Sequence, residues 1–258
     1  MPPLWFLVGR FLAAGVLMAA LALVLKRPFP RRPNDWLAYA ALGVFANAAY
    51  LGLTYAALSR GLAAGIASIV ASTNPLILAL IAPRLLGEPL TRNKLLGMLL
   101  GFGGVVGVML ARTGTETARP EDVGLALLGV TANVASTILF KRAQGSNDLL
   151  AINTIQLLAA GLVLIPAATL IYGGPRVELS SAVVASFLYL VLILSVGASL
   201  LWFWLLSRGA ASRVSAFYFL TPIFGIFFGA LFLGESVGPG DGIGLVAVAL
   251  GIVLVQRN

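Results

Sequence analysis

The sequence predicts an all-α integral membrane protein, an inverted repeat of five-helix halves with nine spans visible and ten expected. Three observations predict it. Of 258 residues, 60% are hydrophobic and 10% charged, with a mean hydropathy of +1.00; a soluble domain of this size needs a polar coat that the chain lacks. The apolar residues gather into nine runs near bilayer-spanning length, roughly 20 residues each. The chain also repeats itself. Leu58-Ser59-Arg60-Gly61 returns as Leu206-Ser207-Arg208-Gly209, Asn74-Pro75 as Thr221-Pro222, and Leu86-Gly87-Glu88 as Leu233-Gly234-Glu235. The offsets are 148 (206 − 58), 147 (222 − 75) and 147 (233 − 86), so one deletion aligns two halves.

The first run, about 4–25, stops at Lys26-Arg27. It is too long for a signal-peptide core and no cleavage site precedes the next run. The second, 36–57, ends at the Arg60-Gly61 turn, and the third, 62–83, carries Asn74-Pro75. In the fourth, 95–111 with its flank, Gly97, Gly101, Gly103, Gly104 and Gly107 crowd together. The longest polar stretch, Arg112 to Asp122, then separates a first repeat at 1–112 from a second at 121–258. Runs five to nine follow at 123–140, 149–171, 183–206, 213–233 and 241–256; the eighth carries Thr221-Pro222 and the ninth Gly242, Gly244 and Gly251. All are expected to be helices, because a bilayer interior tolerates only helices and closed barrels. None shows the alternation of barrel strands.

The loops alternate in charge. One set holds 12 of the 17 basic residues (Lys26, Arg27, Arg31, Arg32, Arg84, Arg92, Lys94, Lys141, Arg142, Arg208, Arg213 and Arg257). The other holds four, beside Glu116, Glu121, Asp122, Glu178, Glu235 and Asp241. The positive-inside rule predicts a plasma (inner) membrane protein with the first set and the C-terminus in the cytoplasm. The net charge of +8 belongs to this topology and not to nucleic acid.

Nine spans would then put Met1 outside. The repeat accounts for that. Gly9-Arg10-Phe11-Leu12-Ala13-Ala14-Gly15 matches Ile155-Gln156-Leu157-Leu158-Ala159-Ala160-Gly161 at an offset of 146 (156 − 10), so the first visible helix pairs with the second helix of the second half. One helix before Met1 is expected to be missing from this chain. Restoring it gives five plus five helices, and an odd repeat unit forces the halves into opposite orientations, the architecture of alternating-access carriers.

The paired Leu-Gly-Glu endings, the proline within each preceding helix and the glycine-rich last helix of each half resemble the drug/metabolite transporter superfamily, EamA type. The resemblance covers the whole chain and departs from the family in the absent first helix. It implies export of small metabolites, often amino acids, through a cavity between the halves lined by helices one, three, four, six, eight and nine of ten.

A proline inside a helix removes one backbone hydrogen bond. Pro75 and Pro222 are therefore expected to act as hinges, freeing the carbonyls of Ala71 and Tyr218 four residues back. Ser72, Asn74 and Thr221 beside them are candidates for substrate binding. So are Asn47, Tyr50 and Tyr55 in the second run, Asn133 and Thr137 in the fifth, Ser199 and Trp202 in the seventh, and Tyr218 in the eighth. Asn133, Ser136 and Thr137 share one helical face, and a polar stripe in an apolar helix faces protein or water. Arg10 is the sole charge well inside a run, about 10 Å from its outer end at ~1.5 Å per residue. It is expected to snorkel to the interface; pairing with the missing helix and holding a substrate carboxylate are the alternatives. Glu88 and Glu235 are expected to favour the dipole of the helix that follows each, and Trp5 and Trp36 to anchor at the interface.

Cysteine and histidine are both absent, which removes disulfides, thiolate chemistry and the usual zinc ligands. No acid/base pair lies within a run, so no enzyme activity is assigned. The glycines lack a following Gly-Lys-Ser/Thr, so ATP-driven transport by this chain is excluded and no cofactor is expected. The expectation is a monomeric secondary transporter exporting an amino acid, aromatic or apolar, by uniport or exchange. The competing readings are a multidrug exporter and a membrane scaffold.

Overall fold

The computed structural model describes residues 2–113, 118–143, 145, 147–175, 180–233 and 238–257. Each apolar run is a helix, with ends within three residues of those expected. In chain order they are α1 (Pro3–Val24), α2 (Pro33–Ser59), α3 (Ala64–Leu86), α4 (Arg92–Thr113), α5 (Pro120–Ala143), α6 (Leu149–Tyr172) and α7 (Ser181–Arg208). An interrupted α8 follows (Ala211–Ser215, Ala216–Phe219 and Leu220–Leu233), then α9 (Pro239–Gln256). No strand occurs among the described residues.

Local chemistry sets the ends. Proline opens α1, α2 and α9, where its missing N–H costs nothing. Asp148 Oδ1 accepts from Leu150 N at 2.8 Å and caps α6. Gly87, at φ +68°, closes α3 in the left-handed conformation that glycine adopts without strain. Large apolar side chains remain exposed along the helices, among them Leu170 at 86% and Ile243 at 74%. Such surfaces suit lipid and not water.

The chain divides into two compact units, and each draws on both sequence halves. The first comprises residues 1–56 and 135–208, the second residues 57–134 and 209–258. In the first, α1 packs on α6 around Leu7, Phe11, Ala14, Met18, Leu157 and Ala160. A Cβ on Gly15 would lie 2.7 Å from Leu158 Cδ2, and one on Gly161 would lie 2.7 Å from Leu12 Cδ2. Gly15 and Gly161 are repeat partners, as are Leu12 and Leu158, both 146 apart. Equivalent residues therefore exchange roles across an antiparallel crossing.

The second unit repeats this design with α4 and α9. Gly97 meets Gly251, and Gly104 meets Gly244, each at a distance where a Cβ would strike the partner's carbonyl oxygen. Gly97 and Gly244 are 147 apart, as are Gly104 and Gly251, so the two contacts again interchange under the repeat. Small residues permit this close backbone approach. Gly103, Gly107 and Gly242 face open space and take no part in it.

Two expectations are corrected by the packing. Arg10 does not snorkel: it is 8% exposed, its Nε donates to Ser195 Oγ at 2.8 Å, and its guanidinium lies 5.5 Å from the Phe11 ring centroid. A hydroxyl and an aromatic face within the bundle hold it away from the interface. Glu88 does not serve the helix that follows it. Its carboxylate accepts from the backbone N of Ala211 and Ser212 and from Ser212 Oγ, at the start of α8, where free N–H groups await acceptors. Glu235 lies outside the described residues. Trp5 and Trp36 donate their indole N–H to Gly173 O and Pro30 O respectively, as interfacial tryptophans can.

Candidate functional site

The site begins with a helix break. α3 runs as Ala64–Ala71, turns at Ser72 and Thr73, and resumes at Asn74. Thr73 N donates to Val70 O, three residues back, which tightens the turn. The hydroxyls of Ser72 and Thr73 fold back on Ser68 O and Val70 O at 2.8 and 2.6 Å. Pro75 therefore occupies the first turn of a new helix, not the interior of a continuous one. This corrects the expected loss of a hydrogen bond inside the helix at Pro75: the missing N–H falls where no intrahelical acceptor is due. In α8 a 3-10 segment, Ala216–Phe219, precedes the helix at Leu220–Leu233. Pro222 falls in that helix's first turn, and its side chain lies outside the described residues. Thus both halves break their helix just before the proline.

The break places Asn74 against α5. Asn74 Nδ2 donates to Asn133 Oδ1 at 2.8 Å, and the Tyr218 hydroxyl donates to the same oxygen at 3.1 Å. Asn74 and Asn133 are 2% and 7% exposed. Two donors thus converge on one carbonyl, from a resumed helix and from a 3-10 segment. Asn74 Oδ1 is buried with no hydrogen-bond partner. A buried acceptor left unmade costs about 1–3 kcal/mol, and an N–H or O–H of a bound molecule would satisfy it.

Seven of the expected residues belong to this second unit: Ser72, Asn74, Pro75, Asn133, Tyr218, Thr221 and Pro222. Asn74, Asn133 and Tyr218 are joined by their side chains. Ser72 spends its hydroxyl on its own helix, and Thr221 is exposed. The other six, Asn47, Tyr50, Tyr55, Thr137, Ser199 and Trp202, lie in the first unit. Thr137 is buried, and Ser199 Oγ donates to Ser195 O. Tyr55 packs against the core around Phe11. Asn47 and Tyr50 are half-buried.

Sequence reasoning missed the π-helical turns. α2 is π-helical over Val44–Ala49 and α7 over Leu190–Ala198. Asn47 lies in one and Ser195 in the other, 148 apart (195 − 47), an offset that also relates Arg60 to Arg208. Pairing every polar residue across the offset would have brought Ser195 forward. π-turns are rare and gather at functional sites. A second missed group is Asn153 and Gln156 on α6, both buried; Gln156 Nε2 donates to Asn153 Oδ1 at 2.6 Å and Gln156 Oε1 has no partner. Among the described residues, no group of three His, Cys, Asp or Glu could hold a metal ion.

Comparison with known proteins gives one answer. The profile of the EamA-like transporter family matches residues 1–110 and 123–257. The chain is 28% identical over 258 residues to YedA, an uncharacterized inner membrane transporter of Escherichia coli K12, covering 98% of this chain and 81% of that protein. It is 27% identical to Protein PecM of Dickeya dadantii, covering 98% and 83%. It is 25% identical to a chloroplastic WAT1-related protein of Arabidopsis thaliana, of which it spans 63%. A solved crystal structure superposes with a TM-score of 0.83 at 20% identity, over 99% of this chain and 88% of the other.

Proposed function

The chain belongs to the EamA-like transporter family, a multi-pass membrane family of transporters and not of enzymes, and from that premise we propose that it is a secondary exporter of an apolar or aromatic amino acid. One observation carries the reading. Asn74, Asn133 and Tyr218 meet inside apolar helices, at a break that recurs in the other half, and one acceptor there is left over. Broken helices at matching places in two repeats bring polar backbone and side chains to the depth where carriers hold substrate. Pockets of this kind are apolar with few polar anchors, and an amino acid's ammonium group supplies the donor that Asn74 Oδ1 lacks.

The exchange of repeat partners at Gly15 and Gly161, and between the Gly97–Gly251 and Gly104–Gly244 contacts, supports two halves of opposite orientation. The reading is of a monomer working by alternating access in the plasma membrane with a cytoplasmic C-terminus. Cysteines placed at exposed Arg31 and Arg119 should then react with an impermeant reagent from opposite sides of the membrane.

The deciding experiment loads proteoliposomes with the twenty amino acids and identifies by mass spectrometry those that leave. Leucine, phenylalanine or a close relative should exit faster than from protein-free liposomes, and Asn74→Leu should slow that exit at equal protein insertion. Identical efflux with and without protein would end the proposal.

A further inference from the structure

Arg10 carries a charge for which the described structure supplies no counter-charge. It is the eighth residue of α1, 8% exposed, on a helix whose Leu7, Phe11 and Ala14 are fully buried. Its Nε is used by Ser195 Oγ at 2.8 Å, and the Phe11 ring faces it. Tyr55 packs on the same core. The ion pairs of Arg27 with Asp148 and of Arg60 with Asp122 do not reach it. The acidic residues described, Asp35, Glu88, Glu121, Asp122, Asp148 and Asp241, stand at helix ends or in loops. Arginine does not deprotonate in proteins, so this side chain keeps a full charge inside an apolar bundle. Cations held at such depth are rare and serve ligands or ion paths.

The geometry points to a carboxylate site at Arg10. With Nε held by Ser195, the guanidinium is fixed in orientation and its two Nη groups remain as a fork. That fork matches a carboxylate through two parallel hydrogen bonds, which a compact lysine ammonium cannot reproduce. Ser195 is positioned by the π-helical turn Leu190–Ala198. The turn and the arginine therefore form one device: the turn presents the hydroxyl, the hydroxyl sets the guanidinium, and the guanidinium selects a ligand with a carboxylate. The repeat partner Gln156 is neutral and turns to Asn153. The selection is thus made in one half only, as expected for a ligand carrying a single carboxylate. This rests on the proposed amino-acid export and names a carboxylate contact that lies wholly within the first unit.

The test compares acids with their amides. Phosphatidylcholine liposomes, free of competing anionic lipid, are loaded with L-phenylalanine and L-phenylalaninamide or with L-leucine and L-leucinamide. Efflux is read for wild type, Arg10→Gln, Arg10→Lys and Ser195→Ala. Wild type should export an acid at least tenfold faster than its amide. Arg10→Gln should bring that ratio near one, Arg10→Lys should keep part of it, and Ser195→Ala should raise the concentration for half-maximal rate while keeping the preference. The lysine variant retains the charge and so controls for misfolding, along with equal helix content. Equal export of acid and amide by wild type, or an unchanged ratio in Arg10→Gln, overturns the carboxylate site and leaves transport standing. Absence of any export by wild type removes both.

Discussion

Gly97 and Gly251 touch backbone to backbone: a Cβ on either would come within 2.6 or 2.5 Å of the other's carbonyl oxygen. The contact recurs at Gly104 and Gly244 with the halves exchanged. Between these points lies Gly101, where a Cβ would meet the Phe219 ring at 2.7 Å. A backbone carbonyl oxygen, which cannot yield as a side chain can, stands within 2.8 Å of the Cβ position at each glycine of the two pairs.

Alanine at Gly97 or Gly104 should therefore separate α4 from α9 and cost about 1–3 kcal/mol, the usual range for overpacking. Alanine at Gly103 or Gly107, which face open space, should be neutral or slightly stabilising, since it improves helix propensity. Thermal unfolding in detergent separates the two sets. Equal destabilisation at all four positions would mean that helix flexibility, not close approach, explains the glycines.

The carboxylate of Glu88 takes two backbone N–H groups and a hydroxyl at the start of α8. Buried Lys94 completes the cluster, its Nζ donating to Pro89 O at 3.0 Å and Ser212 Oγ at 3.2 Å. Glu88→Ala should cost about 0.5–2 kcal/mol, as loss of a helix cap does. Glu88→Gln should recover only part, because an amide is the weaker acceptor. Hydrogen exchange at Ala211 and Ser212 should speed up in both variants, while exchange in α6 stays unchanged.

These two cases show what was legible in the sequence. The nine helices among the described residues follow from apolar length, since hydrocarbon allows few alternatives. The repeat could be read from three short motifs, and the glycine-rich last helices as packing surfaces. Which glycines pack could not, because that depends on helix rotation. Glu88 sits two residues beyond α3 and four before α4, so its sequence neighbours suggested the wrong helix; its true acceptor role is 123 residues away. Of the polar residues in the apolar runs, Asn74, Asn133 and Tyr218 were all named, yet nothing in the sequence says that they share one oxygen. Ser195 escaped notice because a lone serine in an apolar run stands out only when it is paired with Asn47 across the repeat.

Tyr218 and Asn74 compete for the same oxygen of Asn133. Tyr218→Phe removes one donor and should lower stability by roughly 0.6 kcal/mol, the average for a hydrogen bond between membrane helices. Its effect on flux should be larger, severalfold, if the cluster holds substrate. Pro75→Ala restores an N–H at the helix start and should impair flux more than it lowers the amount of folded protein. Normal transport by Pro75→Ala and by Tyr218→Phe together would reduce the cluster to packing.

Energy coupling follows from where the titratable groups stand. A proton-coupled carrier needs a group that loses and regains its proton as it faces each side. The described acids lie at helix ends or in loops, histidine is absent, and Arg10 keeps its charge. Uniport or exchange driven by the substrate's own gradient is therefore expected, with export when the metabolite accumulates inside. Efflux of L-phenylalanine or L-leucine from proteoliposomes should continue at an undiminished rate when valinomycin with equal potassium and nigericin clamp the potential and the pH gradient at zero. Exchange would appear as faster efflux with the same amino acid outside. Uphill accumulation driven by an imposed pH gradient alone would require a proton site among these residues, and Asp122, buried beside Arg60, would be the first to replace with asparagine.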